Sequence, residues 1–231
     1  MQIASQVIPQ TAEEKKQKYM RVLVTAVPKF LVSFYSQVFS RAGLKLQELE
    51  TEAFALERSL VGKDTSTVMI VDVGAERTNF FIIDQGMPMT HRTLQLGGKT
   101  FERIMSDTLG MDIASVSQMK KDLARMPKNT LQTPLFNDAI DAIVKEIEYN
   151  FDVFLHQVGN EAKRPEKIIL TGGASVIPSI QEGIEAAFAM KVFIGDPWAR
   201  VVYQQPVKPL LDEIGPRMSV AIGLAMRNIL G

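Results

Sequence analysis

The segment MIVDVGAERTNFFIIDQG, from Met69 to Gly86, constrains the fold more than any other part of the sequence. Two apolar runs rich in β-branched and aromatic residues flank a short polar turn, which predicts a buried β-hairpin. The turn holds an acid, a glycine and a threonine, namely Asp72, Gly74 and Thr78. Backbone N–H groups around such a glycine can converge on an anion, the acid can hold Mg²⁺ through water, and the threonine can donate to a phosphate oxygen. Taken alone, an Asp-x-Gly turn is more often purely structural.

Composition excludes several classes of protein. Lysine plus arginine and aspartate plus glutamate each number 26, so no overall charge attracts nucleic acid or anionic lipid. The absence of cysteine excludes disulfides and thiolate chemistry and fits a reducing compartment. No apolar run reaches the roughly 18 residues that span a bilayer, and the first residues lack a signal-peptide core. We therefore expect no secretion and no direct insertion into a membrane.

The first part of the sequence predicts β-α-β-α. RVLVTAV forms a strand, a helix follows Pro28 and ends at Gly43, LKLQELE forms a second strand, and EAFALERSL forms a short helix. VGKDTST is a linker.

From Val68 onward the sequence predicts three strands, several helices and then alternating strands and helices. Asp112 caps a short helix, the longest helix runs from about Asn137 to Val158, and Pro216 opens the last. The resulting order, β-β-β-α-(α)-α-β-α-β-α, is that of a ribonuclease-H-like half-domain. We predict an α/β fold with one near-complete half at residues 63–231, a small helical insertion around 98–136, and a remnant of a first half at residues 1–62.

Two further glycine turns follow predicted strands. Gly97-Gly98 lies between the third strand and a helix, and Gly172-Gly173 follows the strand KIILT. Ligands of α/β sheets lie at the carboxyl ends of strands, where glycine permits close approach to the backbone. A tight turn that needs positive φ is the alternative at each site, but three such turns in one unit favour nucleotide binding.

The segments VDVGAERTNFFIIDQG, LGGKTFERI, IILTGGASVIPSI and AIGLAMR together resemble the type IV pilus assembly protein PilM family. This family belongs to the actin-like ATPases and is similar in fold to the division protein FtsA. The resemblance extends from about Met20 to Gly231, with the motifs in the same order.

The resemblance implies an ATP and Mg²⁺ site. Its residues would be Asp72, Gly74 and Thr78 in the second phosphate loop, Gly97 and Gly98 near the nucleotide, Gly172 and Gly173 in the adenosine loop, and Lys120 beside the adenosine. Asp72 would hold Mg²⁺ through water. Ser117 stands where the family carries an acid, and an ordinary solvated charge is the alternative reading of Lys120.

The resemblance also implies a function: a cytoplasmic actin-like scaffold of the inner-membrane platform that assembles the pilus and supports twitching motility. It implies binding to the cytoplasmic N-terminal tail of the membrane protein PilN, with other platform proteins and motor ATPases as further partners. No Asp-x-Gly precedes Val68, so the first phosphate loop and the inserted subdomain are expected to be missing. We therefore expect an incomplete PilN groove, weak or no ATP binding, and no useful hydrolysis by this chain alone.

The alternative function is an ATPase that becomes active after dimerisation or complementation by a separate N-terminal part. Without the opening strands, RVLVTAV would have an unpaired edge through which two copies could join as a homodimer. A sugar-kinase-type domain would need a catalytic aspartate, for which the sequence offers no motif.

Overall fold

The computed structural model describes residues 1–8, 20–123 and 134–229 and divides the chain into two compact units. Unit 1 is Met1–Thr51 and unit 2 is Glu52–Gly231. The sequence predicts the boundary between residues 62 and 63. The structure divides the chain earlier, between Thr51 and Glu52, because the helix that begins at Glu52 packs with the second unit.

Unit 1 consists of an antiparallel strand pair and a helix. Its elements are β1 (Gln2–Val7), β2 (Val22–Val27) and α1 (Lys29–Arg41). Pro28 precedes α1, and Gly43 follows its end with a φ of 69°, as the sequence predicts. The predicted second strand at LKLQELE is wrong, since residues 44–51 form no strand. RVLVTAV has a neighbour that the sequence did not predict, since β1 pairs with one edge of β2 along its whole length, while the other edge of β2 pairs with no strand of the described residues.

Unit 2 is built on a five-stranded mixed sheet. Its strands are β3 (Val68–Val73), β4 (Thr78–Asp84), β5 (Met87–Leu94), β6 (Lys167–Thr171) and β7 (Lys191–Ile194), in the order β5-β4-β3-β6-β7. The three-stranded meander β3-β4-β5 is antiparallel, and β6 and β7 add to it in parallel. The predicted succession of these strands along the chain is confirmed.

Helices cover both faces of this sheet. They are α2 (Glu52–Leu56), which continues as a π-helix (Glu57–Val61), then α3 (Gly98–Leu109), α4 (Ile113–Leu123), α5 (Asn137–Leu155), α6 (Pro178–Ala187) and α7 (Lys208–Met226). The predicted start of the last helix is wrong, since α7 begins at Lys208 and holds Pro216 inside. The carbonyl of Pro216 accepts hydrogen bonds from Gly172 N at 3.0 Å and from Thr171 Oγ1 at 2.8 Å.

Two apolar layers sandwich the sheet. On one face α3, α5 and α6 contribute buried side chains that include Phe101, Ile143, Ile147, Phe154 and Ile180. Leu56 and Val61 lie in the layer on the other face, where α2 and the π-helix pack. The stripe predicted on α5 is confirmed, although the helix ends at Leu155 and Val158 is exposed. Each large buried side chain stabilises the fold by roughly 1.5–3 kcal/mol.

Residues 124–133 of the predicted helical insertion lie outside the described residues. Within the described segments, no helix is both long and apolar enough to cross a membrane.

Candidate functional site

Unit 2 contains an open cavity of about 640 Å³ at the carboxyl ends of β3 and β6. Among the residues that line it are five of the predicted site residues: Gly74, Gly98, Lys120, Gly172 and Gly173. The other three, Asp72, Thr78 and Gly97, do not line the cavity themselves, and of these Gly97 alone is next to a lining residue, Gly98. The structure therefore brings the three glycine turns to one place.

The turn between β3 and β4 is held against the start of α3. Gly98 N donates to Gly74 O and Lys99 N donates to Ala75 O, each at 2.8 Å. Across the described segments, the N–H groups of Ala75 and Glu76 donate to no other group of the chain. This turn therefore presents open backbone donors that suit an anion.

Gly97 permits the close approach of this turn. A Cβ at Gly97 would overlap the Arg77 N–H and the carbonyl of Ala75. Its role in the structure is to let the β3–β4 turn lie on the start of α3.

Thr78 is fully buried, and its Oγ1 donates to Leu96 O at 2.7 Å. A hydroxyl carries one proton, so this bond uses the donor that the sequence assigned to a phosphate. In this arrangement Thr78 ties β4 to the segment that follows β5.

Asp72 lies at the end of β3 in a group of polar side chains. Burial first, and then the nearby carboxylate of Glu52, raise the pKa of Asp72 to about 6, while Arg77 and Asn79 act in the opposite direction. Asn79 also donates to Glu52 Oε2 at 3.3 Å and accepts from Thr93 Oγ1 at 2.8 Å. Sequence reasoning missed Glu52, whose one signal is an acid in the first turn of α2.

A magnesium ion would find two carboxylates here, from Asp72 and Glu52. No group of three metal-ligating side chains occurs in the described part of the chain. Mg²⁺ commonly keeps several waters and takes one or two carboxylates plus the phosphates of a ligand. The residues present fit an ion that arrives with a phosphate ligand and leave the remaining positions to water.

The turn after β6 is fixed from both sides. Gly172 N donates to Pro216 O at 3.0 Å, and Ala174 N donates to Val73 O at 3.0 Å. The φ of Gly172 is 89°, a conformation that favours glycine. Gly173 N has no acceptor among the described residues. This turn forms a side-chain-free wall of the cavity.

Lys120 reaches the cavity from α4 and forms an ion pair with Glu102 on α3. Only 19% of the Lys120 side chain and 15% of the Glu102 side chain are exposed, which does not fit a solvated surface lysine. Ser117 lines the same region. Glu102 thus brings an acid beside Lys120. No local pattern in the sequence indicates this pair, because the two residues meet through the packing of α3 on α4.

The cavity therefore has open N–H donors from the β3–β4 turn and the turn after β6 and, from α3 and α4, a partly buried ion pair. Its volume falls within the 300–1,000 Å³ common for small-molecule sites. Charges of both signs line it, with Lys99 and Arg217 opposite in sign to Asp212 and Glu213. Such an arrangement can hold a ligand that combines an anionic group with a polar, partly flat body.

Comparison with known proteins matches this chain to a protein family. The family model for type IV pilus assembly protein PilM matches residues 4–229. Cell division protein FtsA of Pseudomonas aeruginosa is 24% identical over 215 residues, which cover 82% of this chain and 49% of that protein. The chain thus spans about half the length of this curated relative.

Solved structures show the same fold. A PilM-PilN type IV pilus biogenesis complex superposes with a TM-score of 0.76 at 23% identity, over 98% of this chain and 67% of that chain. MreB 5 of Spiroplasma citri bound to AMPPNP superposes with a TM-score of 0.67 at 14% identity, over 89% of this chain and 66% of that one. These structures confirm the predicted actin-like α/β fold, and the match to the family model shows that the chain belongs to the type IV pilus assembly protein PilM family.

Proposed function

We propose that this chain is a scaffold component of the type IV pilus assembly platform, located at the cytoplasmic face of the inner membrane through its partners. We further propose that the cavity of unit 2 holds an adenine nucleotide with Mg²⁺ from one side. The observation that carries the nucleotide proposal is the convergence of three glycine turns and Lys120 on one cavity. The fold shared with an MreB bound to AMPPNP supports the same class of ligand.

The residues divide into three roles. The open N–H groups of Ala75, Glu76 and Gly173 bind phosphate oxygens. Asp72 and Glu52 hold Mg²⁺ through its waters. Lys120, fixed by Glu102, lies beside the nucleoside. Mg²⁺, when bound, neutralises the charge of the phosphates, and the residues named above orient the nucleotide.

We assign phosphate binding to one wall, because the donors at Ala75, Glu76 and Gly173 all lie in turns of unit 2. Phosphates held by one set of donors lose the clamp from the opposite wall, which weakens binding and removes the means to stabilise a transition state. We expect a dissociation constant in the sub-millimolar to millimolar range and no useful hydrolysis by this chain alone.

A titration with Mg-ATP followed by heteronuclear NMR tests the nucleotide proposal. Shifts should concentrate in the turns at Gly74 and Gly172, and Asp72→Ala should weaken binding. Asp64→Ala, which removes an ion pair to Lys167 at the opposite ends of the strands, is the matched control and should leave binding unchanged. Micromolar affinity would contradict the one-sided site, and the absence of any shift at millimolar nucleotide would overturn the nucleotide proposal.

Unit 1 supplies the surface for a protein partner. A groove of about 410 Å³ runs between the strand pair and α1, with Leu31 and Tyr35 on its helical wall and residues 46–51 along its edge. The structural match to a PilM-PilN complex supports the cytoplasmic N-terminal tail of PilN as the occupant. We expect this groove to be part of a larger one, so the tail should bind with reduced affinity.

The partner proposal is tested with a labelled PilN tail peptide in fluorescence anisotropy. Tyr35→Ala, in the groove, should weaken binding about tenfold, as truncation of a buried aromatic anchor does. Phe30→Ala is the control, because Phe30 is 70% exposed and does not line the groove. Equal effects of the two variants would show that the tail binds elsewhere, and affinity equal to that of a longer family member would refute the incomplete groove.

A second function remains in play because Asp72 and Glu52 form a carboxylate pair beside the cavity. The chain would then be half of an ATPase that becomes active after dimerisation or after complementation by an N-terminal part. ATP turnover that rises with protein concentration, and that Asp72→Ala abolishes, would support this function. A monomer that stays inert with ATP at every concentration would exclude it.

A further inference from the structure

A backbone hydrogen bond holds Lys99 at the β3–β4 turn. Its N–H donates to Ala75 O at 2.8 Å, so the start of its side chain lies directly beside the turn. The side chain lines the cavity, and its Nζ reaches Glu76 Oε1 at 2.6 Å. A cation and a carboxylate therefore meet at the turn that carries the open N–H groups.

The start of α3 offers little to an anion by itself. The N–H groups of Gly98, Lys99 and Thr100 donate to Gly74 O, Ala75 O and Gly97 O. Groups that would ordinarily attract a phosphate at a helix N-terminus are thus already used. Recognition of a phosphate at this end depends on the turn N–H groups and on the ammonium of Lys99.

Glu76 is the acid that meets this ammonium. The pair lowers the pKa of Glu76 and raises that of Lys99, so both groups are charged near neutral pH. Both side chains are mostly exposed, at 66% for Lys99 and 72% for Glu76. An exposed pair of this kind contributes little to stability, so it can separate readily.

A phosphate is a stronger partner for Lys99 than a carboxylate. It carries more charge, and it can accept from the ammonium and from the turn N–H groups at the same time. A ligand phosphate at the turn would also meet the negative charge of Glu76, which favours departure of that side chain.

We propose that Lys99 is a phosphate-binding residue and that Glu76 occupies its ammonium while the cavity is empty. The phosphate of a nucleotide must displace Glu76 before Lys99 can bind it, which makes the pair an internal competitor of the ligand. The inference rests on the proposed nucleotide function and adds a residue and a mode of regulation to that site.

A double-mutant cycle tests the proposal with Glu76→Gln, Lys99→Gln and the double variant. Each is titrated with Mg-ADP and, separately, with adenosine, which lacks the phosphates. Lys99→Gln should weaken Mg-ADP binding about three- to tenfold, and Glu76→Gln should strengthen it about two- to fivefold. In the Lys99→Gln background, Glu76→Gln should have almost no effect, because the competition acts through Lys99.

Two controls support this cycle. Adenosine should bind all variants equally, and Lys191→Gln, which removes an exposed lysine at the start of β7 that does not line the cavity, should leave Mg-ADP binding unchanged. Urea unfolding should show that the variants keep wild-type stability, since the pair is exposed.

The outcomes separate the proposals. Unchanged Mg-ADP affinity in Lys99→Gln would overturn the role of Lys99. An equal gain from Glu76→Gln in both backgrounds would show simple charge repulsion and would overturn the competition. If the wild type binds neither Mg-ADP nor adenosine at millimolar concentration, the proposed nucleotide function itself fails.

Discussion

The backbone of Gly172 lies against the carboxylate of Asp72. A Cβ at Gly172 would overlap Asp72 Oδ1 and the carbonyl of Val73, and the φ of Gly172 is 89°. The end of β3 and the turn after β6 are therefore packed together without a side chain between them. This contact joins the carboxylate pair to the wall of the cavity.

Gly172→Ala should destabilise unit 2 and impair nucleotide binding. The positive φ costs about 1–3 kcal/mol for a residue with a Cβ, and the overlap with Asp72 adds to it. Urea unfolding and Mg-ATP titration would measure the two effects. Gly110→Ala is the matched control, because Gly110 also has a positive φ, 64°, but no atom near its missing Cβ. Similar losses in the two variants would show that the Asp72 contact is unimportant.

Asp72→Asn should stabilise the protein at neutral pH. Since the pKa of Asp72 is raised to about 6 from 3.8, the folded state binds its proton more tightly than the unfolded state does. Ionisation then reduces stability as the pH rises from about 4 to 6, by on the order of 2 kcal/mol at pH 7. The gain from Asp72→Asn should grow over this range and be constant above it, as measured by urea unfolding at several pH values.

The difference in free energy of unfolding between Asp72→Asn and the wild type isolates the contribution of Asp72 from those of other titrating groups. Glu52 and Arg77 act on both Asp72 and His91, and burial lowers the pKa of His91. Asp64→Asn gives a contrast of opposite sign, because Lys167 lowers the pKa of Asp64 to about 2. Its stabilising contribution is present above pH 4 and is lost as the pH falls toward 2. A gain from Asp72→Asn that does not change between pH 4 and 6 would contradict the raised pKa.

Thr78→Val should reduce stability by about 1 kcal/mol and leave nucleotide binding nearly unchanged. The bond from Thr78 Oγ1 to Leu96 O is lost and a buried carbonyl loses its donor. Thr78→Ser keeps the hydroxyl and is the control for that bond. If Thr78→Val removed nucleotide binding without loss of stability, the hydroxyl would have to turn toward the ligand, as the sequence alone predicted.

Arg200→Ala should destabilise unit 2 by about 2–3 kcal/mol. The Arg200 guanidinium donates to Ser59 O and Val61 O, each at 2.8 Å, and so holds the end of the π-helix. Arg200→Lys should restore only part of the loss, because one ammonium cannot reproduce the fork. Chemical denaturation would measure both, with Arg164→Ala as an exposed arginine that bonds only to nearby carbonyls. A full rescue by lysine would show that the charge alone matters.

Much of unit 2 follows from local patterns. The apolar runs on each side of Gly74 become β3 and β4, and the stripe from Ile140 to Phe154 becomes the buried face of α5. These patterns predict structure because apolar side chains that recur at the period of a helix or a strand lie on one face of it, and that face is buried. In unit 1 the same reasoning failed at LKLQELE, where apolar and polar residues alternate but no strand forms. It also missed β1, whose side chains are all exposed.

In unit 2 the sequence by itself determined the order of strands and helices and placed glycine turns at the ends of β3, β5 and β6, because periodicity and turn chemistry act between residues close in the chain. Tertiary structure alone decided which groups face the cavity. It paired Glu102 with Lys120, placed Glu52 near Asp72, and gave the Thr78 proton to Leu96 O. These contacts join residues on different elements, so they arise only when the helices pack on the sheet, and no local spacing specifies them.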